Sequence, residues 1–558
     1  MSYDLKSLRV PRLAGMTLRS MVSLLENNYA RRFLQHPLNK EAGLPLLQQA
    51  VLTTAPTPFP KFGTECIADA DWSVPDLSLF QPSPSARSPF TSVSDLARAY
   101  REGTATPNAI AEKLIFAIQR ANEGQKPLRA IINFNEQDIR QQASRATERL
   151  WEGKSLSWLD GIPVAIKDEL DCVPYATSVG TQVYGQNQSA EEDATVVARL
   201  KEAGAIIIGK ANMHEIGMGV SGANPHFGVC RNPYHIDHHS GGSSSGSAAA
   251  VAAGLCPVAI GADGGGSIRI PAALCGLVGL KPTWSRVSEF GAAPLCWSVA
   301  HVGPIGSCVD DVAMVYQLTA GPDPRDPNSL IQPPVHLNNY QKSDLKGLTI
   351  GIYTPWFEHA DAEVVARCYE AIAHLEAAGA TRKEIVIEHL NLQRIAHAVT
   401  IASEMLTAVD AEYEADKSRF GNDVRLTLAL AGTFSARDYV KAQQVRTLAI
   451  ESFIQAFEEV DVIVTPTTAV TAPKINQAAQ PQGESNLTIL SELMRFVTSG
   501  NLTGLPALSV PAGYDAAGLP IGVQLIGRPW DESLLLRMGK VIENSTERQA
   551  PTHYTALL

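Results

Sequence analysis

Clusters of basic residues are the first feature that this sequence lacks. Its 46 Lys and Arg are outnumbered by 57 Asp and Glu, the formal net charge is −11, and no Lys/Arg-rich run occurs. Proteins that bind nucleic acids use concentrated positive charge to neutralise phosphates. We therefore expect no nucleic-acid partner.

Paired cysteines and an apolar leader are also missing. The 8 cysteines are scattered without a CxxC spacing, which fits reduced thiols in a cytosolic enzyme better than a disulfide framework. The N-terminal stretch MSYDLKSLRVPRLAG has no apolar run typical of a secretory signal. These absences predict a cytoplasmic protein. The cysteines are Cys66, Cys172, Cys230, Cys256, Cys275, Cys296, Cys308 and Cys368.

Two apolar stretches bear on membrane contact. Ser240–Ala262 is uncharged, but its Gly and Ser content and Pro257 indicate buried protein structure rather than a transmembrane span. Leu13–Leu34 has the apolar periodicity of one amphipathic helix. That helix either caps the protein core or contacts a membrane surface peripherally.

The pattern of the chain divides it into two parts. Residues 1–92 form an extension of one or two helices followed by the Pro/Ser-rich connection Val51–Arg87. Residues 93–558 alternate helices and apolar strands, which indicates an α/β domain with helices on both faces of a sheet. Predicted helices are 92–102, 108–123, 195–204, 247–254 and 362–378; predicted strands are 162–166, 205–209, 256–261, 348–353, 460–465 and 522–526.

The segment Gly241–Pro271, GGSSSGSAAAVAAGLCPVAIGADGGGSIRIP, contains two glycine–serine clusters. Ser243 precedes a short Ala-rich helix of about 14 Å, and the following strand of about 20 Å leads back. Ser267 should therefore return to the sheet edge where Ser243 lies. Glycines in both clusters would allow tight turns whose N–H groups converge.

A lysine ends another apolar strand, in the sequence GIPVAIKDE. Lys167 could simply extend into solvent from the strand end. A lysine held in an apolar site away from carboxylates can instead become neutral and act as a base. If its strand is central, Lys167 lies at the sheet edge where α/β proteins bind ligands.

These segments resemble the amidase signature family. The similarity lies in GGSSSGSAAAVAAG, GADGGGSIRIPAALCGLVGLKPT, GIPVAIKDE, DATVVARLKEAGAIIIGKANMHE and GLPALSVPAGYDAAGLPIGVQLIG, and it runs from about Ser92 to the C-terminus. The sequences of the segments KANMHEIGMG, GGSSSGSAA and GADGGGSIRIP most resemble those of plant-type fatty acid amide hydrolases. The resemblance implies an α/β fold with a large mixed, mostly parallel-type central sheet covered by helices on both faces.

The resemblance also implies a Ser–cis-Ser–Lys triad. Ser267 matches the nucleophile, Ser243 the bridging serine in a cis peptide and Lys167 the base. Backbone N–H groups of Gly264, Gly265, Gly266 and Ser267 would hold the developing oxyanion.

Neighbouring residues have supporting roles in this interpretation. Ser244 would brace the loop, as would Ser245, and Asp263 and Arg269 would hold the nucleophile loop from behind. Met218 matches a substrate-contacting methionine of the family.

The implied activity is hydrolysis of a carboxylic amide, such as an N-acylethanolamine, through an acyl-enzyme. The family suggests a homodimer, and we expect no metal and no cofactor. Three alternatives stay open: the glutaminase subunit of a tRNA-dependent amidotransferase, a broad-specificity short-chain or aryl amidase, and a non-catalytic scaffold on the same fold.

Other motifs are weaker. Gly242–Gly246 fits G-x-S-x-G with Ser244 as nucleophile, but no strand is predicted before it. Gly217–Gly222 fits G-x-G-x-x-G after a helical stretch, and Gly204–Lys210 imitates a phosphate loop although its interior reads as a strand. His235, Asp237, His238 and His239 resemble metal ligands; lacking a partner cluster, they indicate a solvated loop.

Overall fold

The structure is a computed structural model of the chain. Part of the predicted connection, at 64–74 and 76–87, lies outside the described residues, as does Cys66. The described residues are 3–7, 10–63, 75, 88–185, 188–337, 339–479 and 483–558.

Strands of the described residues form one large sheet and one small one. The large sheet has 11 strands in the order β2-β4-β3-β5-β7-β6-β12-β13-β10-β8-β9, and β1 pairs with β11 separately. The strands are β1 (Leu13–Ala14), β2 (Ile131–Asn133), β3 (Pro163–Lys167), β4 (Ile206–Ala211), β5 (Val258–Ala262), β6 (Val278–Lys281), β7 (Val302–Gly306), β8 (Thr349–Ile352), β9 (Thr381–Glu384), β10 (Val462–Pro466), β11 (Glu484–Ser485), β12 (Ala507–Tyr514) and β13 (Pro520–Gly527).

Helices pack around this sheet, and three of them, α1 to α3, belong to the extension. They are α1 (Gly15–Glu26), α2 (Asn28–Ala42), α3 (Leu44–Gln49), α4 (Val93–Arg101), α5 (Pro107–Ala121), α6 (Glu136–Trp151), α7 (Thr195–Glu202), α8 (Ser245–Ala252), α9 (Arg269–Leu274), α10 (Val309–Thr319), α11 (Thr354–Phe357), α12 (Ala362–Ala377), α13 (Leu390–Ala408), α14 (Asp410–Ala415), α15 (Asn422–Ala431), α16 (Ala436–Phe457), α17 (Leu487–Met494), α18 (Thr498–Thr503) and α19 (Glu532–Ser545).

The mixed α/β architecture is confirmed. Parallel pairing occupies two blocks of the sheet, β4-β3-β5 and β10-β8-β9, whereas the strands between them pair antiparallel. Antiparallel pairing is thus more extensive than we predicted. One cause is the turn at Asp515–Leu519, which joins β12 to β13 directly and leaves no room for a crossover helix.

The predicted elements of the α/β part lie within a few residues of their observed bounds. Helix α4 begins after a capping box in which Ser92 and Asp95 bond each other's backbone. Helix α5 begins with Pro107 at its first position, after the cap Thr106. Both helices begin within one residue of the starts predicted at 92 and 108.

Helix α8 lies inside the molecule. Every residue of Ser245–Ala252 is buried, and the helix contacts β3, β5 and β7. Small Ser, Gly and Ala side chains let it approach the strands closely, since a Cβ on Gly246 would lie 2.2 Å from the Ala130 carbonyl oxygen. The start of α8 is consequently fixed at the ends of β3 and β5.

The extension differs from the prediction of a single helix over Leu13–Leu34. The first helix, α1, ends just before Asn27. The Asn27 side chain accepts hydrogen bonds from the N–H groups of Tyr29 and Ala30 and so begins α2. Helix α1 packs on α15 through Leu18, Val22 and Leu25. Among the described residues, no helix combines the length and apolar character that crossing a bilayer requires.

Candidate active site

Lys167 and Ser243 are in direct contact. Lys167 ends β3, beside β5, and its side chain is buried. The Nζ atom lies 2.9 Å from Ser243 Oγ and 3.0 Å from the Ala262 carbonyl oxygen at the end of β5. Lys167 therefore points into the protein at the sheet edge, and not into solvent.

A carboxylate faces Lys167, so the prediction of a site away from carboxylates is wrong. Glu169 Oε2 lies 2.6 Å from Lys167 Nζ, and both side chains are at least nine-tenths buried. A turn closed by the hydrogen bond from Leu170 N–H to the Lys167 carbonyl brings Glu169 back over the strand end. Glu169 lies in this turn and not on β3, so strand periodicity could not have placed it beside Lys167.

The Ser243 loop is held by backbone geometry and hydroxyls. The Gly242–Ser243 peptide bond is cis, as the resemblance implied. Gly241 has a φ of +83°, and a Cβ there would lie 2.8 Å from Pro271 Cα. Ser244 Oγ donates to the Ala262 carbonyl, and Ser245 Oγ donates to the Asn212 carbonyl, so both hydroxyls tie the loop to neighbouring strands.

Ser267 lies beside this loop. Its carbonyl accepts a 3.3 Å hydrogen bond from Ser244 N–H, which brings the two glycine–serine clusters together as predicted. Among the described residues, Ser267 Oγ has no hydrogen-bond partner. The structure thus brings Lys167 to Ser243 by a side-chain contact and Ser267 to Ser244 by the backbone.

The glycines before Ser267 differ in the use of their N–H groups. Gly266 donates its N–H to Asp263 Oδ1 at 2.6 Å, so this donor is already used. Within the described part of the chain, the N–H groups of Gly264, Gly265 and Ser267 make no hydrogen bond. Gly266 has a φ of +110°, and a Cβ there would lie 2.5 Å from Val497.

Asp263 and Arg269 form a buried ion pair behind the loop. Arg269 Nε lies 3.0 Å from Asp263 Oδ2, and Arg269 also donates to Gln524 and Asn501. Burial alone would raise the pKa of Asp263, but the Arg269 guanidinium outweighs it and holds that pKa far below its ordinary value. The ionised Asp263 accepts bonds from Gly266 and Ile268 N–H, which fixes the curl of the loop.

Two histidines near this loop are uncharged at neutral pH. Burial lowers the pKa of His397 to about 4, and its Nε2–H donates to the Gly264 carbonyl at 2.8 Å. Burial, with neighbouring Lys281, holds the pKa of His301 well below its usual range. No local sequence pattern points to these residues, because α13 and the segment before β7 are remote in sequence from the loop.

Apolar side chains flank the serines. A Cβ on Gly217 would contact Ser243 Oγ, Met405 and Leu295, and Met218 packs in the same apolar cluster. Cβ atoms on Gly264 and Gly265 would meet Cys296, Ile401 and Met494, and Cys296 and Ile401 belong to that same cluster. Apolar side chains therefore border both glycine–serine clusters. The contributions of α13 and α17 to this apolar border carry no local sequence signal.

The weaker motifs take other places in the fold. No strand of the described residues leads directly into Ser244. The Gly217–Gly222 motif begins at the last residue of a 3₁₀ turn, Glu215–Gly217. Most of Gly204–Lys210 lies in β4. Asp237 pairs with Lys126 at 2.7 Å, and the rings of His235 and His238 contact each other.

Comparisons with known proteins identify relatives of this chain. The family model described as Amidase matches residues 112–536. The chain is 39% identical to the fatty acid amide hydrolase of Oryza sativa subsp. indica, over 100% of this chain and 96% of the relative. It is 39% identical to a subunit of the glutamyl-tRNA(Gln) amidotransferase of Microcystis aeruginosa, over 73% and 88%. The solved peptide amidase from Stenotrophomonas maltophilia superposes with a TM-score of 0.72 at 29% identity, over 85% and 100%.

The chain belongs to the amidase signature family. It is a serine amidohydrolase, an enzyme that hydrolyses amide C–N bonds, and it is close in sequence to plant fatty acid amide hydrolases.

Proposed function

We propose that the protein hydrolyses fatty acid amides through an acyl-enzyme on Ser267, with Ser243 as proton relay and Lys167 as base. The observation that carries this proposal is the buried 2.9 Å contact between Lys167 Nζ and Ser243 Oγ beside the Ser267 loop. A lysine amine with a hydroxyl partner is an activated-nucleophile arrangement. The uncharged, backbone-bonded His397 is not placed to compete as the base.

The proposed reaction moves one proton out and back. Neutral Lys167 takes the proton of Ser243 as Ser243 takes that of Ser267, and the Ser267 oxygen bonds to the amide carbon. The proton then returns through Ser243 to the leaving amine as the C–N bond breaks. Water releases the acid by the same relay.

We infer that the oxyanion is held by the N–H groups of Gly264, Gly265 and Ser267. These donors are unpaired among the described residues, whereas the Gly266 N–H is bonded to Asp263. This proposal therefore assigns three N–H donors to the oxyanion, whereas the resemblance implied four. Each such donor is typically worth about 3 kcal/mol of transition-state stabilisation.

The fatty acyl group is inferred from the apolar border of the serine loops and from the relatives. Met218, Leu295 and Met405 belong to one apolar cluster beside Ser243, and burial of each CH₂ contributes about 0.8 kcal/mol. A series of amides with one amine and acyl chains of increasing length tests this. We expect kcat/KM to rise with chain length; a preference for acetyl or aryl amides would favour the short-chain or aryl amidase.

The glutaminase alternative rests on the similarity to the amidotransferase protein. The fuller coverage by fatty acid amide hydrolases, which includes the extension, favours the first proposal. Glutamine hydrolysis that depends on a copurifying partner protein would support the alternative instead.

The extension is proposed to close the acyl side of the site. Helix α15 packs on α1 through Leu426 and Ala429, and its Val424 and Leu428 belong to the apolar cluster of Met218. Deleting residues 1–50 should therefore impair long-chain amides more than short ones. An equal loss for both would assign the extension a structural role only.

A further inference from the structure

The Lys167 amine has three polar neighbours. They are Ser243 Oγ at 2.9 Å, the Ala262 carbonyl at 3.0 Å and Glu169 Oε2 at 2.6 Å. A protonated lysine has three N–H donors, and these three oxygens can accept all of them. A neutral amine has two donors and one lone pair. If the carbonyl and the carboxylate take the two donors, the lone pair faces the Ser243 hydroxyl.

We propose that Glu169 is a positioning residue for the base: it orients the Lys167 lone pair toward Ser243 and stabilises the ammonium that forms when Ser267 attacks. This rests on the proposed function. The proton balance is unchanged, because Glu169 accepts hydrogen bonds from Lys167 throughout and takes no proton. An opposite charge within hydrogen-bond distance favours the charged form of its neighbour.

A purely structural role does not account for the contact. The turn that carries Glu169 is already closed by the bond from Leu170 N–H to the Lys167 carbonyl. A buried ion pair is weak support for stability, since desolvation offsets the attraction.

Other charged groups near this pair are held by different partners. Asp168 accepts from Gly180 N–H and lies 3.4 Å from Lys210, and Glu404 accepts from Ser298 and Tyr439. Burial, with nearby carboxylates, raises the pKa values of Cys296 and Glu289 well above their usual ranges. Glu169 is thus the carboxylate in direct contact with Lys167.

The test measures the rate of Ser267 labelling by a fluorophosphonate from pH 5 to 10, with the labelled serine identified by mass spectrometry. In Glu169→Gln the ammonium loses its counter-charge, so the rise of the labelling rate with pH should move at least one pH unit to lower pH. The rate at high pH should fall tenfold or more. Glu169→Asp, which keeps the charge on a shorter side chain, should restore part of both effects.

Asp310→Asn is the matched control, because Asp310 pairs with Lys540 between α10 and α19 and is not part of the site. It should leave the pH midpoint unchanged. A folded Glu169→Gln protein with the midpoint of the unchanged protein would overturn this inference alone, whatever its rate. If Glu169→Gln does not fold, a Glu169→Asp protein with unchanged rate and midpoint would also overturn it. Absence of labelling in the unchanged protein would overturn the proposed function and this inference together.

Discussion

The serine-bearing segment and the N-terminal extension differ in how completely the protein covers them. Every residue of Ser240–Leu280 is buried except Gly264, which is half-buried. In contrast, α1 buries only Leu18, Val22 and Leu25. Neighbouring strands and helices cover the serine-bearing segment on all sides, whereas α1 of the extension is covered on one face only. Substitutions in the first should therefore change chemistry, and substitutions in the second should change docking.

The largest effect is expected at Ser267. Ser267→Ala removes only the proposed attacking oxygen, so amide hydrolysis and fluorophosphonate labelling should be abolished while the fold remains. Turnover, mass spectrometry of the label and thermal unfolding measure the three properties. Label that persists on Ser243 or Ser244 would contradict the assignment.

Lys167→Met comes next. It keeps much of the apolar bulk without a base, and general-base catalysis is typically worth about 100- to 10,000-fold. We expect a loss of several orders of magnitude in kcat. Since Glu169 would lose its partner, stability is measured alongside, and Glu169→Gln/Lys167→Met removes the unpaired carboxylate. Near-normal turnover by either folded variant would exclude Lys167 as the base.

His397 should make the buried region sensitive to acid. Its pKa of about 4 lies below the ordinary 6.5, so the unfolded chain takes up this proton first as pH falls. The associated stability, about 3 kcal/mol by linkage, is present above pH 6.5 and is lost between pH 6.5 and 4. His397→Gln cannot titrate, so its urea-unfolding free energy should fall less over that range. Equal slopes for both proteins would contradict the prediction.

The smallest effect on stability is expected on the open face of the extension. Tyr29 and Phe33 are each 81% exposed on α2, one helical turn apart. Tyr29→Ser/Phe33→Ser should change the free energy of unfolding by less than about 0.5 kcal/mol and weaken binding to phospholipid vesicles severalfold. Leu25→Ala, at the buried contact with α15, is the comparison and should cost about 2–5 kcal/mol. Unchanged vesicle binding by the double variant would leave the extension as a cap only.

Local patterns predicted the site where its parts are near each other in sequence. The lengths of α8 and β5 predicted that the Ser267 loop returns beside Ser243, and the bond from Ser244 N–H to the Ser267 carbonyl agrees with this. The prediction of a single helix over Leu13–Leu34 was wrong. The apolar periodicity continues across Asn27, but the capping hydrogen bonds of Asn27 begin a new helix there. His397 and Asn501 reach the loop through tertiary packing, which no local pattern encodes.

The contact between α1 and α15 has a consequence for biosynthesis. Glu26 pairs with Arg425, 399 residues later. At about 5–20 residues per second, a ribosome would complete α15 about 20–80 s after α1. For that time the apolar face of α1 lacks its α15 contacts and can pack against Leu34 and Leu38 of α2. Until α15 has been synthesised, this incompletely covered face of α1 is therefore a surface that a chaperone could bind.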